Sequence, residues 1–245
     1  MQSSKPQHPW PPPSSKRKPR EPYTVDIIIA IRCHLDLDLP LHAAVFACLT
    51  TTFYATAQVG EFTVQTLEAF RLEQHIKLKD MQQDKDRQGR EITNFHLPCT
   101  KAAPQGKDVN WARQDGLSDP DSALKNHLRI NNPLPDSPLF AYKDKCKQIL
   151  KPLTCSKFLS MLSLAIKAAG MKPLSSHGIH IGSTLEYLLC NVPFDMVKIK
   201  GHWASNAFLL YLHHHTQILA PYMQAVPELH DSFLCFTIPP IRSRS

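Results

Sequence analysis

Two histidines stand three apart in HGIHIGSTLEYLL, residues 177–189, at the entrance to an amphipathic run. His177 and His180 in that spacing suit three things: a metal pair, donors to a phosphate, or packed histidines with no chemistry. A zinc site needs a third ligand and a position for an activated water, and the chain contains no H-E-x-x-H. His213, His214 and His215 are adjacent, so on a helix they point in different directions and chelate poorly. No metal and no cofactor is expected. Tyr54, Tyr187 and Tyr222 sit in no motif and read as structural.

The elements that must hold these histidines follow from periodicity and caps. Residues 24–35 have Val25, Ile28, Ile29 and Ile31 apolar and read as a helix. Pro40 fits the first turn of a second helix through about Thr56, apolar on nearly all faces and therefore buried. AQVGEF at 57–62 ends it. Strand signals follow at His75–Leu78, Glu91–Leu97 and Val109–Trp111, with polar connections such as QQDKDRQGR, which predicts a small antiparallel sheet. Asp119 or Asp121 can cap a helix through Arg129. Thr154 can cap another, with Phe158, Leu162, Ala165 and Ile166 on its stripe and Gly170 stopping it. The quoted stretch opens a third, Pro193 a short fourth, and Ser205 caps a fifth through Leu212. The expected class is mainly α with a small antiparallel β-sheet.

The chain has 245 residues, 42% of them hydrophobic, enough for one cored domain with a tail. A formal charge of +7 fits a polyanionic partner. Residues 1–22 are rich in Pro, Ser and basic side chains and are expected to be disordered. Their KRKPR cluster suits a nuclear import signal, a phosphate contact or a solvated linker. No run of 18 apolar residues predicts a membrane span, and no apolar signal region predicts secretion. Seven cysteines without C-x-x-C spacing fit a reduced, intracellular chain. Nuclear or nucleocytoplasmic residence is expected. The core domain is bounded at 23–230, with a tail at 231–245.

The C-terminal third, HGIHIGSTLEYLLCNVPFDMVKIKGHWASNAFLLYL, resembles the tyrosine recombinase (phage integrase) family, most closely recombinases of fungal mobile elements. That family has H-x-x-R opening a helix, a G-H or G-W step about twenty residues on, and a tyrosine nine further. Here His202 and Tyr211 are nine apart. Upstream, ATAQVGEF is similar to the family's first motif, an arginine followed three residues later by an acid, and LPCTK to the hairpin carrying a catalytic lysine. The resemblance implies metal-free DNA breaking and rejoining, and therefore DNA recombination and integration. A tyrosine attacks a backbone phosphate and forms a covalent phosphotyrosyl. Arginines and a histidine-type donor stabilise the charge of the transition state, and a lysine protonates the leaving 5′ oxygen. By position, Tyr211 is the nucleophile and Lys101 the acid. His177 assists proton transfer, His202 donates to the phosphate, and Glu61 orients its neighbours. Lys198, Lys200 and Trp203 flank that step as DNA contacts. Self-association on DNA is also implied.

Both motif arginines are replaced, the first by Gln58 and that of H-x-x-R by His180. Neither substitute offers an always-charged, bidentate fork. Losing one preorganised donor costs about 10²–10³ in rate, so weak or absent cleavage is expected. The remaining alternatives are a DNA-binding module that does not cut and an active recombinase using these weak substitutes. Gln58, His180, Cys99, Cys190, His202 and His213 all stand where arginine is common in the resembled sequences. Single transitions of arginine codons give these residue types, so codons other than CAN and TGY at these positions would contradict decay. The resemblance also leads one to expect a helical DNA-clasping domain ahead of the catalytic one. Only a tail of about twenty residues stands there, so weak, salt-sensitive binding is expected.

Overall fold

A helix with no polar face must be wrapped by the rest of the chain, and α2 (Pro40–Tyr54) has none: every residue from Ala43 to Tyr54 is buried. Pro40 starts it at a position where a missing N–H costs nothing. The computed structural model describes residues 21–101, 103–144, 149–190 and 192–203. Around α2 pack α1 (Val25–Cys33), α4 (Pro120–Asn131), α5 (Cys155–Ala168), α6 (His177–Leu189) and strand β3 (Lys107–Ala112). α5 buries one stripe, Phe158, Leu162, Ala165 and Ile166, whereas α6 is buried on all sides from Gly178 to Leu185.

Caps fix where these helices begin and end. Thr24 accepts from the Ile27 N–H to open α1, and Thr154 accepts from the Lys157 N–H to open α5. Asp119 opens α4 by accepting from the Asp121 and Ser122 N–H groups. Asn132, at φ 43°, ends α4 in the left-handed region, and Gly170, at φ 70°, follows α5.

The sheet is antiparallel, ordered β1 (Met81–Lys85), β2 (Glu91–Leu97), β3, with Phe95 opposite both Met81 and Val109. Phe95, Leu97, Val109 and Trp111 alternate inward onto the core, and the outer face is polar. A second pair, β4 (Tyr142–Lys143) with β5 (Leu150–Lys151), closes the core beside α2. Among the described residues no helix is long and apolar enough to cross a membrane.

Three expectations are corrected. His75–Leu78 is not a strand: Lys77 makes an isolated bridge to Pro138, and a 3-10 turn at Leu78–Asp80 precedes β1. The strand lies instead in the polar stretch expected to be a connection, because an edge strand with its side chains in water needs no apolar alternation. AQVGEF does more than end α2: after Thr56 (φ 51°) the chain restarts as the one-turn α3 (Val59–Phe62). The helix expected from Ser205, the 231–245 tail and all but two residues of the N-terminal tail lie outside the described residues.

Candidate functional site

The restart at α3 positions the first two site residues. Gln58 is its N-cap, and Glu61 at the third helical position reaches back, its Oε2 accepting from the Gln58 N–H at 2.9 Å. The other Glu61 oxygen, Oε1, pairs with Lys107 Nζ at 2.7 Å. Lys107 opens β3 just after Gly106, whose φ of 86° lets the chain turn back under the Leu97 and Pro98 carbonyls. Lys101 stands in the same β2–β3 connection with its side chain exposed.

The end of α2 registers α6 against this pair. Thr56 and Ser183 hydroxyls meet at 2.8 Å, and the Tyr187 hydroxyl donates to the Tyr54 carbonyl at 2.6 Å. That puts His180, 7% exposed, on the inner side of the site. The His177 ring lies parallel to it at 6.1 Å, and the Trp203 indole stands edge-on at 4.8 Å. Nδ1 of His180 is buried without a hydrogen-bond partner. Burial pushes the imidazole down to about 4, reinforced by His177, Lys107 and His202 and opposed by a hydrogen bond to the Gly201 backbone. His180 is therefore neutral near pH 7.

Helix α7 (Phe194–Lys200) ends at Gly201, where a side chain would collide with the Trp203 indole folded back over it. His202 follows at φ 51°. Burial lowers its pKa, Lys107 lowers it further, and Glu61 opposes. Lys200 lies 5.0 Å over the Tyr187 ring and donates to the Asn110 carbonyl at 2.8 Å, with burial pushing its ammonium down to about 8. Its charge is thus directed at β3. Lys198, half-buried, is in the last turn of α7. Tyr211 lies outside the described residues.

These elements enclose a cavity of about 740 Å³ lined by Gln58, Glu61, Lys101, Lys107, His180 and His202, with Cys99, Thr100 and His75 on its wall. His177, Trp203, Lys198 and Lys200 are not among its lining residues. Sequence reasoning missed Lys107. Its only signal is its place as the first residue of β3, three residues into QGKDVNW. No described residue lining the cavity is an arginine. No group of three or more described His, Cys, Asp or Glu side chains is placed to hold a metal. The arrangement can receive an anion: two lysines and neutral imidazoles face one carboxylate.

A mainly helical domain with small antiparallel sheets is the fold that results, and a solved recombinase structure matches it at the level of fold alone. The chain is similar to the FLP recombinase–Holliday junction complex I with a TM-score of 0.50 and 13% identity, over 73% of this chain and 42% of that one. It also matches the Flpe–Holliday junction complex at TM-score 0.47 and 12% identity, over 85% of this chain and 48% of that one. The chain spans less than half the length of either. No protein-family profile matches it. No curated protein matches it either.

Proposed function

We propose that this chain is a tyrosine recombinase-like domain of mobile-element origin that holds a DNA backbone phosphate in the cavity and is impaired in strand cleavage. One observation carries the reading: Gln58, Glu61, Lys101, His180 and His202, chosen from separate motifs, line one cavity. In this reading Tyr211 attacks the phosphorus as its phenol proton passes to His177, the bond to the 5′ oxygen breaks, and a lysine gives that oxygen its proton. The charge of the transition state then falls on two lysines and on imidazole N–H groups. Neutral His180 and amide Gln58 supply at most single uncharged hydrogen bonds where a guanidinium would supply two charged ones.

A suicide substrate nicked near the scissile phosphate tests it. The expected result is salt-sensitive binding with no covalent protein–DNA adduct. An adduct formed by the native chain and lost in Tyr211→Phe would overturn the impairment. Gln58→Arg combined with His180→Arg is expected to restore an adduct, which also tests the assigned positions. The second reading, a DNA-binding module without cleavage, is favoured by the absence of arginine from the described lining. It predicts binding in every variant and an adduct in none. Nuclear residence rests on the KRKPR cluster and is checked by imaging a fluorescent fusion with that cluster changed to glutamines.

A further inference from the structure

His75 lines the cavity together with Glu61, on the segment that joins α3 to β1. It belongs to none of the motifs that supplied the other site residues. It is half-buried, and its surroundings decide which of its two ring nitrogens can act on a ligand.

The ring is held at Nδ1. The Arg71 N–H meets that nitrogen at 3.1 Å. A backbone N–H only donates, so Nδ1 is the acceptor and carries no proton. The Arg71 carbonyl also lies 3.3 Å from Nδ1. That oxygen already accepts from the Gln74 and His75 N–H groups at 3.2 and 3.0 Å. In the neutral imidazole the proton is therefore on Nε2. Among the described residues no hydrogen bond engages Nε2. Nδ1 is committed to its own loop, and Nε2, across the ring, is the donor left for the cavity.

The loop behind the ring is held from several sides. Arg71 Nη1 donates to the Glu68 and Phe70 carbonyls at 2.7 and 2.8 Å, so this arginine closes its own turn and does not line the cavity. Lys77, 5% exposed, donates to the Leu72 carbonyl at 2.6 Å and the His75 carbonyl at 3.4 Å, and pairs with Asp80 at 2.8 Å. The Ile76 carbonyl accepts from the Leu139 N–H at 3.2 Å. The Phe70 ring lies 5.8 Å from the imidazole, tilted by 40°. A donor fixed in this way needs little reorganisation when an anion arrives.

We propose that His75 is a further phosphate-binding residue of the cavity, donating from Nε2 to a nonbridging oxygen of a DNA backbone phosphate. This rests on the reading of the cavity as a DNA-phosphate site. It adds a preorganised donor to a described lining that has no arginine. A neutral imidazole contributes a hydrogen bond and releases no counterion, whereas a lysine on a phosphate releases about one. The two contributions therefore separate when salt is varied.

The test uses the full chain and a short duplex, with affinity followed against salt. Asparagine places its amide oxygen near the position of Nδ1 and has no atom at Nε2. His75→Asn thus keeps an acceptor for the Arg71 N–H and removes the donor. Binding should weaken by about tenfold at every salt concentration, the low end for a hydrogen bond to a charged group. The log–log slope should stay as it was. Lys101→Gln, in the same cavity, should make that slope shallower by about 1. Nitrogen-15 spectra of the native chain give a readout that a purely structural histidine would not move. The proton should be found on Nε2, and duplex should shift the Nε2 resonance. A proton on Nδ1, an Nε2 resonance that duplex leaves in place, or an unchanged affinity in His75→Asn overturns the role of His75 and leaves the cavity reading standing. If the intact chain fails to bind duplex at low salt, or Lys101→Gln leaves the slope unchanged, the DNA reading of the cavity fails and this inference fails with it.

Discussion

Glu61 sits where two demands meet. One oxygen closes the turn at Gln58; the other neutralises Lys107, and both partners are largely shielded from solvent. With an arginine at position 58 the carboxylate would have a second cation beside it. Here Lys107 is the cation it holds, so the cavity lysine most favourably placed for a phosphate is already paired. Glu61→Gln keeps an acceptor for the Gln58 N–H and removes the charge. Releasing a unit charge about 6 Å from a bound phosphate is worth roughly 1–3 kcal/mol at an effective dielectric near 20. We expect inorganic phosphate or a short duplex to bind about tenfold tighter to the variant at low salt, measured by calorimetry. Equal or weaker binding would show that Lys107 does not face the ligand. At this scale the sequence was legible where a motif pairs positions, as for Gln58 with Glu61 or His180 with His202. Lys107 escaped because its partner is forty-six residues away, and only the fold brings them together.

At the scale of elements, caps were legible and weakly patterned pieces were not. Asp119 shows why a cap reads well. Its Oδ1 accepts from the Gln114 and Asp121 N–H groups at 3.0 and 3.2 Å, and its Oδ2 from the Ser122 N–H and hydroxyl at 3.0 and 2.6 Å. The residue is 3% exposed, so Asp119→Ala leaves buried donors unmet. It should cost about 2–3 kcal/mol in urea unfolding. A loss below ~1 kcal/mol would mean water replaces the carboxylate. By contrast β1 is a solvated edge, and α3 is a single turn; neither leaves a period long enough to see. The groove that Gly178 and Gly182 form on α6 for the backbone of Glu21 and Tyr23 was also invisible, since glycines four apart signal a close approach without naming what approaches. Gly182→Ala tests the approach. Because the obstruction is Tyr23 backbone, the cost should reach about 3 kcal/mol or more. Ser183→Ala, the neighbouring position, loses only the Thr56 hydroxyl contact and should cost about 1 kcal/mol. Equal losses in the two variants would count against that approach.

For the whole molecule, acid is the condition that sets stability against binding. His127 and His180 are both held near a pKa of about 4 by burial. His127 is locked neutral, with Nε2 on the Leu139 carbonyl at 2.9 Å and Nδ1 facing the Asn131 amide at 3.0 Å. For a base whose folded pKa lies below its unfolded value of about 6.5, the unfolded chain binds the proton first. Stability from each histidine is complete above pH 6.5 and is lost as pH falls toward 4, by about 3 kcal/mol at most. The fold should therefore weaken steadily through that window, and His180→Gln should remove its share of the slope. Anion binding runs the other way. A phosphate in the cavity favours the charged forms of His180 and His202, which Lys107, Lys200 and His177 oppose and Glu61 and the Asp108 backbone assist. Complex formation near pH 5.5 should then take up protons, and duplex should protect the protein against acid unfolding. Binding enthalpies measured in two buffers of different ionisation heat give the number taken up. Identical enthalpies in the two buffers would mean that the anion does not reach the histidines, and that the cavity is not where DNA phosphate sits.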